Sequence, residues 1–151
     1  MKQILTLRNL IKLGALVFAI AAFCMMFGNQ LTFTLLGKVY YVKFDDALFG
    51  DHGAILSFVG YLLMLIAGIV AGLLVFLKAP ENVKKYVALG VAVVMLTGAI
   101  FVFVEAAVVN NSVGSETYKL HAFPIIGGIL GVVGALAIAA SEFVPDKEFA
   151  K

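Results

Sequence analysis

No tryptophan, one cysteine, three prolines and two histidines occur in this chain of 151 residues, and only 13% of its residues are charged, against about a quarter in an ordinary soluble domain. Each shortage excludes something. A lone Cys24 cannot close a disulfide within the chain, so no staple crosses its loops, and Cys24 reads as a small apolar packing residue. Two histidines, with no His-Glu-x-x-His, paired-cysteine or calcium-loop spacing, leave no organised metal motif. Neither a Gly-x-Ser-x-Gly elbow nor a glycine-rich phosphate loop ending in Lys-Ser/Thr is present, so no catalytic constellation and no bound cofactor is expected. The balance of charge is too even to suggest nucleic acid as a partner.

Charge is missing most of all from four apolar runs, Leu13–Phe27, Ala54–Leu77, Tyr86–Val104 and Ala122–Ser141. A helix crosses a bilayer core in about 17–25 mostly apolar residues, because lipid offers no hydrogen-bond partner to a bare backbone. The first run is short, but Leu10, Ile11 and a snorkelling Lys12 extend it on one side, and Gly28, Asn29 and Gln30 on the other. With 63% hydrophobic residues, the expected fold is an all-α integral membrane protein. It is a four-transmembrane-helix antiparallel bundle in a single membrane domain over 1–151, with spans at about 10–29, 54–77, 86–107 and 122–141.

Lys and Arg sort by side. Lys2, Arg8, Lys12, Lys78, Lys84, Lys85, Lys147 and Lys151 fall in the termini and the middle loop 78–85, against Lys38, Lys43 and Lys119 in the other two loops. The positive-inside rule then places both termini and loop 78–85 in the cytoplasm, with loops of about 30–53 and 108–121 outside, in a plasma (inner) membrane. The basic start, apolar stretch and small residues Ala19, Ala21 and Ala22 share features with a secretory signal, but Phe23–Phe27 carries the apolar run through the cleavage region, so an uncleaved span is expected. Ile4, Leu7 and Ile11 at helical spacing, with the basic residues off that stripe, predict a short interfacial helix leading into it.

In the first outer loop, the β-prone runs on either side of Gly37-Lys38 predict a hairpin over Leu31–Phe44. Two strands alone are marginal in water, so something must cover them. Phe33, Tyr40, Tyr41 and Phe44 are the aromatics this segment cannot bury by itself, and they are the candidate partner-docking residues. Glu81 and Asn82 after Pro80 suit a helix start, and Pro124 fits the first turn of the last span.

Within the membrane the clearest pattern is a stripe of small residues. Gly127, Gly131, Ala135 and Ala139 recur every fourth residue, and Gly60, Gly68 and Gly72 repeat the spacing in the second span; these are the candidate helix-packing residues, whether for this chain or for another subunit. The polar residues singled out in the spans are Ser57, Thr97 and Cys24, and the lack of ionisable groups speaks against proton coupling or voltage sensing. Glu105 is expected near the outer interface, on a helix running on to about Asn110, where a carboxylate costs little. Asp51, His52, Glu105 and His121 are weak metal-ligand candidates without diagnostic spacing.

Four spans with a β-prone first outer loop resemble the topology of claudin-type proteins. The likeness is one of layout, since the tryptophan motif and cysteine pair of that loop are missing here and no residue carries over. The leading expectation is a non-enzymatic membrane subunit that packs against other membrane proteins, or itself, and offers its hairpin as a docking surface. The alternatives are a homo-oligomeric channel or carrier for a small solute, and a membrane-interface enzyme acting on lipid or an envelope substrate.

Overall fold

The computed structural model describes residues 6–44, 55–113 and 118–143. Helix α1 spans Leu7–Cys24 and ends in a 3₁₀ turn, Met25–Phe27; strands β1 (Leu31–Leu35) and β2 (Lys38–Val42) follow. Next come α2 (Ile55–Phe76), α3 (Glu81–Phe103), the short α4 (Glu105–Val113), β3 (Lys119–Leu120) and α5 (Ala122–Ser141). Four helices, Leu7–Phe27 with its 3₁₀ turn, Ile55–Phe76, Glu81–Phe103 and Ala122–Ser141, are long and apolar enough to cross a membrane.

Sequence places each boundary. Thr6 caps α1, its hydroxyl accepting from Asn9 N at 3.2 Å, and the helix runs from Leu7 through Lys12 into the first apolar run, while Ile4 of the expected interfacial stripe lies outside the described residues. Pro80 precedes α3 and Glu81 sits in its first turn, favourable to the free N–H groups there. His121 caps α5, with Pro124 in its first turn where a missing N–H is harmless.

The helices alternate in direction and form a ring in which α1 packs on α2, α2 on α3, α3 on α5 and α5 back on α1. Small side chains and methionines fill the interior, among them Ala15, Ala19, Ala22, Ala67, Ala71, Ala99, Met64 and Met95. Large apolar residues such as Val17, Ile66, Leu73, Val93, Ile129 and Leu136 point outward. This is the reverse of a water-soluble bundle and points to a membrane protein.

At one end of the bundle lies a three-stranded antiparallel sheet of order β2-β1-β3. The expected hairpin is present, but its turn is Leu36-Gly37 rather than Gly37-Lys38, closed by the pair Leu35 and Lys38. Both turn residues have positive φ, 53° and 79°, as a type I′ turn requires. The third strand, brought from the far side of the sequence, pairs Leu31 with Leu120 and Thr32 with Lys119. It had no signal of its own, being two residues long. At the other end, Arg8 pairs with Glu81 at 3.1 Å and Lys12 with Glu142 at 2.8 Å. Lys12 therefore does not snorkel. It is buried, because Glu142 at the end of α5 faces it across the α1–α5 contact.

Candidate functional site

The sheet joins the bundle at Gln30. Its backbone N–H donates to Val42 O at 2.9 Å and its carbonyl accepts from His121 N at 3.0 Å, so it extends the ladder on both sides of β1. Its side chain turns the other way: Nε2 donates to the carbonyls of Met25, Met26 and Gly28 at the end of the first helix. Its Oε1 accepts from the Tyr61 hydroxyl of α2 at 2.8 Å. Gln30 and Tyr61 are both fully buried, and every polar atom of their side chains is used.

Beside them α3 breaks. The Ser57 hydroxyl of α2 donates to Phe101 O at 3.0 Å, and Val104 takes a non-helical conformation before α4 begins at Glu105. A neighbouring side chain inserted into the backbone ladder is a recognised cause of a helix break. The break turns Glu105 inward. It is fully buried, close enough to Tyr61 for its charge to act on the phenol, and neither carboxylate oxygen has a hydrogen-bond partner among the described residues. The expectation of an exposed interfacial carboxylate is thus overturned, because it assumed an unbroken helix. Burial raises the pKa of Glu105, which lies beyond the apolar span, above the ordinary carboxylate range.

Helix α4 then braces the sheet. Val109, with Ala106 and Val108, packs on the buried Leu31 of β1 together with Val42, Tyr118 and Leu120. The Asn110 amide donates to Tyr118 O and accepts from Tyr118 N, both at 2.9 Å, holding the chain that enters β3. The marginal hairpin is covered by its own chain.

Of the four aromatics expected on a docking surface, two are not exposed. Phe33 is half-buried, stacked on Tyr40 across the strands and edge-on to Tyr118, and Phe44 is half-buried against Phe27 and the bundle core. Tyr40 and Tyr41 are exposed, Tyr41 resting against His121. The sheet also bares an aliphatic tip, Leu35, Leu36 and Val39, with Leu36 at 95% exposure. Propensity and aromatic content drew attention to the strand centres and away from the turn.

The small-residue positions lie between helices of this chain. A Cβ on Gly68 would strike Ala19, and one on Gly72 would meet Leu16, both on α1. Gly127 faces Ala22, Met25 and Tyr61; Gly131 faces Met64 and Ala99; Ala135 is buried and Ala139 half-buried against the core. In the tightest backbone approach the candidate Gly60 meets a glycine that the spacing does not single out. A Cβ on Gly60 would stand 2.5 Å from Gly98 O, and one on Gly98 2.6 Å from Gly60 O, so α2 and α3 cross almost backbone to backbone. Gly98 has no companion at four-residue spacing, which is why it escaped notice.

Ser57 and Thr97 both donate to backbone carbonyls, Thr97 to Val93 O of its own helix at 2.9 Å and Ser57 to Phe101 O. His121 is occupied as a cap, with its ring stacked on Phe123. Asp51 and His52 lie outside the described residues, among which no group of three or more His, Cys, Asp or Glu comes together. In the sequence Tyr61 reads as one more residue of the second apolar run, and Gln30 as an uncharged extension of the first. Comparison of the chain with models of known families, with characterised proteins and with solved structures finds no match.

Proposed function

We propose that this chain is a non-enzymatic membrane subunit whose four-helix bundle holds a braced hairpin and docks a partner protein by the hairpin's apolar tip. One observation carries the reading. Leu36 holds φ of 53°, a conformation that suits glycine or asparagine, and its side chain is almost wholly bare. Leucine is the wrong residue for the turn and gains no packing there, so it fits a position kept for what it meets outside the chain. Leu35 and Val39 beside it enlarge the patch, and Tyr40 and Tyr41 flank it with side chains that combine apolar area and a hydroxyl. The small-residue stripes are engaged within the chain, and the large outward side chains of the helices suit lipid. The eight-to-three distribution of Lys and Arg supports a hairpin on the outer side of a plasma membrane, with both termini cytoplasmic.

The test is a photoreactive residue placed at Leu36, with one at the outward-facing Leu136 as control, activated in intact membranes. A discrete protein adduct is expected from position 36 and lipid adducts from 136. Leu36→Asn should lower co-purification of the crosslinked partner by about tenfold or more while the hairpin stays folded. Adducts to lipid alone at position 36, or full partner recovery by Leu36→Asn, overturns the reading.

A further inference from the structure

We propose that the Glu105 carboxyl is a proton-binding site, and that the bound proton latches the sheet and α4 onto the helix bundle. The carboxyl is fully buried at the first residue of α4, directly after the break at Val104, and neither oxygen finds a donor among the described residues. An ionised carboxylate held so is among the most costly groups a protein interior can contain, whereas the neutral acid costs only what an unpaired polar group does. Among the described residues no cationic group is at hand to offset the charge. The titratable group of α2 is Tyr61, a phenol that is neutral or negative and whose hydroxyl donates to Gln30. Its own helix has no other charged residue, α1 and α3 carry theirs at the opposite end (Arg8, Lys12, Glu81, Lys84, Lys85), and α5 carries none. On the sheet side Tyr118 is a second phenol, Lys38, Lys43 and Lys119 are exposed, and His121 is stacked on Phe123.

What surrounds the carboxyl is what fastens the sheet. Ala106, Val108 and Val109 of the same helix pack on Leu31, and Tyr61 donates to Gln30, the residue from which β1 springs. Ionisation demands water at Glu105, which the lifting of α4 or the parting of the Tyr61–Gln30 contact would admit. The closed state therefore holds a proton that the opened state, with a solvated carboxyl, releases. Closure is fully retained below the ordinary glutamate range and weakens as pH rises above it. Over that interval the opening constant grows by up to about tenfold per pH unit.

The latch is independent of the docking reading and is tested without a partner. The full chain is purified in detergent, and amide hydrogen exchange of β1 and β2 is followed from about pH 5 to about pH 8, with the base catalysis of free amides divided out. In wild type the corrected exchange should accelerate with pH; in Glu105→Gln, a neutral isostere that cannot ionise, it should be flat. Infrared spectra of wild type near neutral pH should contain the carbonyl stretch of a protonated carboxylic acid that Glu105→Gln lacks. A pH slope kept in Glu105→Gln overturns the latch. So does a wild-type spectrum in which every carboxyl is ionised at neutral pH, including one in which an added metal cation supplies the compensation. Should Glu105→Gln fail to fold, the infrared titration of wild type decides alone: a carboxyl protonated at neutral pH that loses its proton together with accelerated exchange supports the latch, and an ionised one ends it.

Discussion

Leu36 and Lys12, like Glu105, have surroundings at odds with their chemistry, and each leads to a measurable consequence. For an L-residue the left-handed region is unfavourable by about 1–2 kcal/mol, less for asparagine, which bonds its own backbone. Leu36→Asn should therefore leave the helices unchanged and stabilise the hairpin by about 0.5–1 kcal/mol, read as slower exchange of the β1 and β2 amides. Loss of protection instead would mean that the Leu36 side chain packs on the fold. Lys12 and Glu142 are more than nine-tenths buried and 2.8 Å apart. Removing one partner strands the other, so Lys12→Met should destabilise the bundle by about 3–5 kcal/mol, whereas Lys12→Met combined with Glu142→Leu should recover most of the loss. Equal melting temperatures for the single and double variants would show that the pair is not coupled.

At the scale of elements, the helices are brought together by absent side chains, and the consequences depend on what stands opposite. A methyl at Gly131 meets the thioether of Met64, the flexible end of a side chain that can swing aside. A methyl at Gly98 meets the backbone carbonyl of Gly60, which moves only if α2 moves. Gly98→Ala should thus destabilise by about 2–3 kcal/mol and Gly131→Ala by about 1 kcal/mol or less, in thermal or denaturant unfolding in detergent. The reverse ranking would place the critical crossing at α3 and α5 instead. The sheet follows the same logic. It persists because Val109 covers Leu31, and Asn110 and Gln30 fasten its two ends, none of which a free hairpin possesses.

For the whole molecule, the sheet and the two ion pairs lie at opposite ends of a bundle whose outward faces are apolar. With Cys24 replaced by alanine, a cysteine at Lys38 should react with an impermeant thiol reagent in intact cells, and one at Asn82 only after the membrane is opened. That outcome follows from the uneven sharing of Lys and Arg, and the opposite labelling would invert the orientation.

Hydropathy alone determined that there are four long apolar helices, because an apolar run long enough to span lipid has no other stable backbone arrangement. Alternation and β-branched content likewise made β1 and β2 legible, since strand preference is a property of consecutive residues. Small-residue spacing identified Gly60, Gly68, Gly127 and Gly131 as positions of close approach, but not which helix approaches. Tertiary structure decided the rest: the third strand, the break at Val104, the inward turn of Glu105, the Gln30–Tyr61 link and the Lys12–Glu142 pair. Each joins or depends on residues distant in the chain, as in the separation of 31 from Gln30 to Tyr61. Periodicity reports how one segment divides its faces; it carries no information about which buried polar group another segment will bring to meet it.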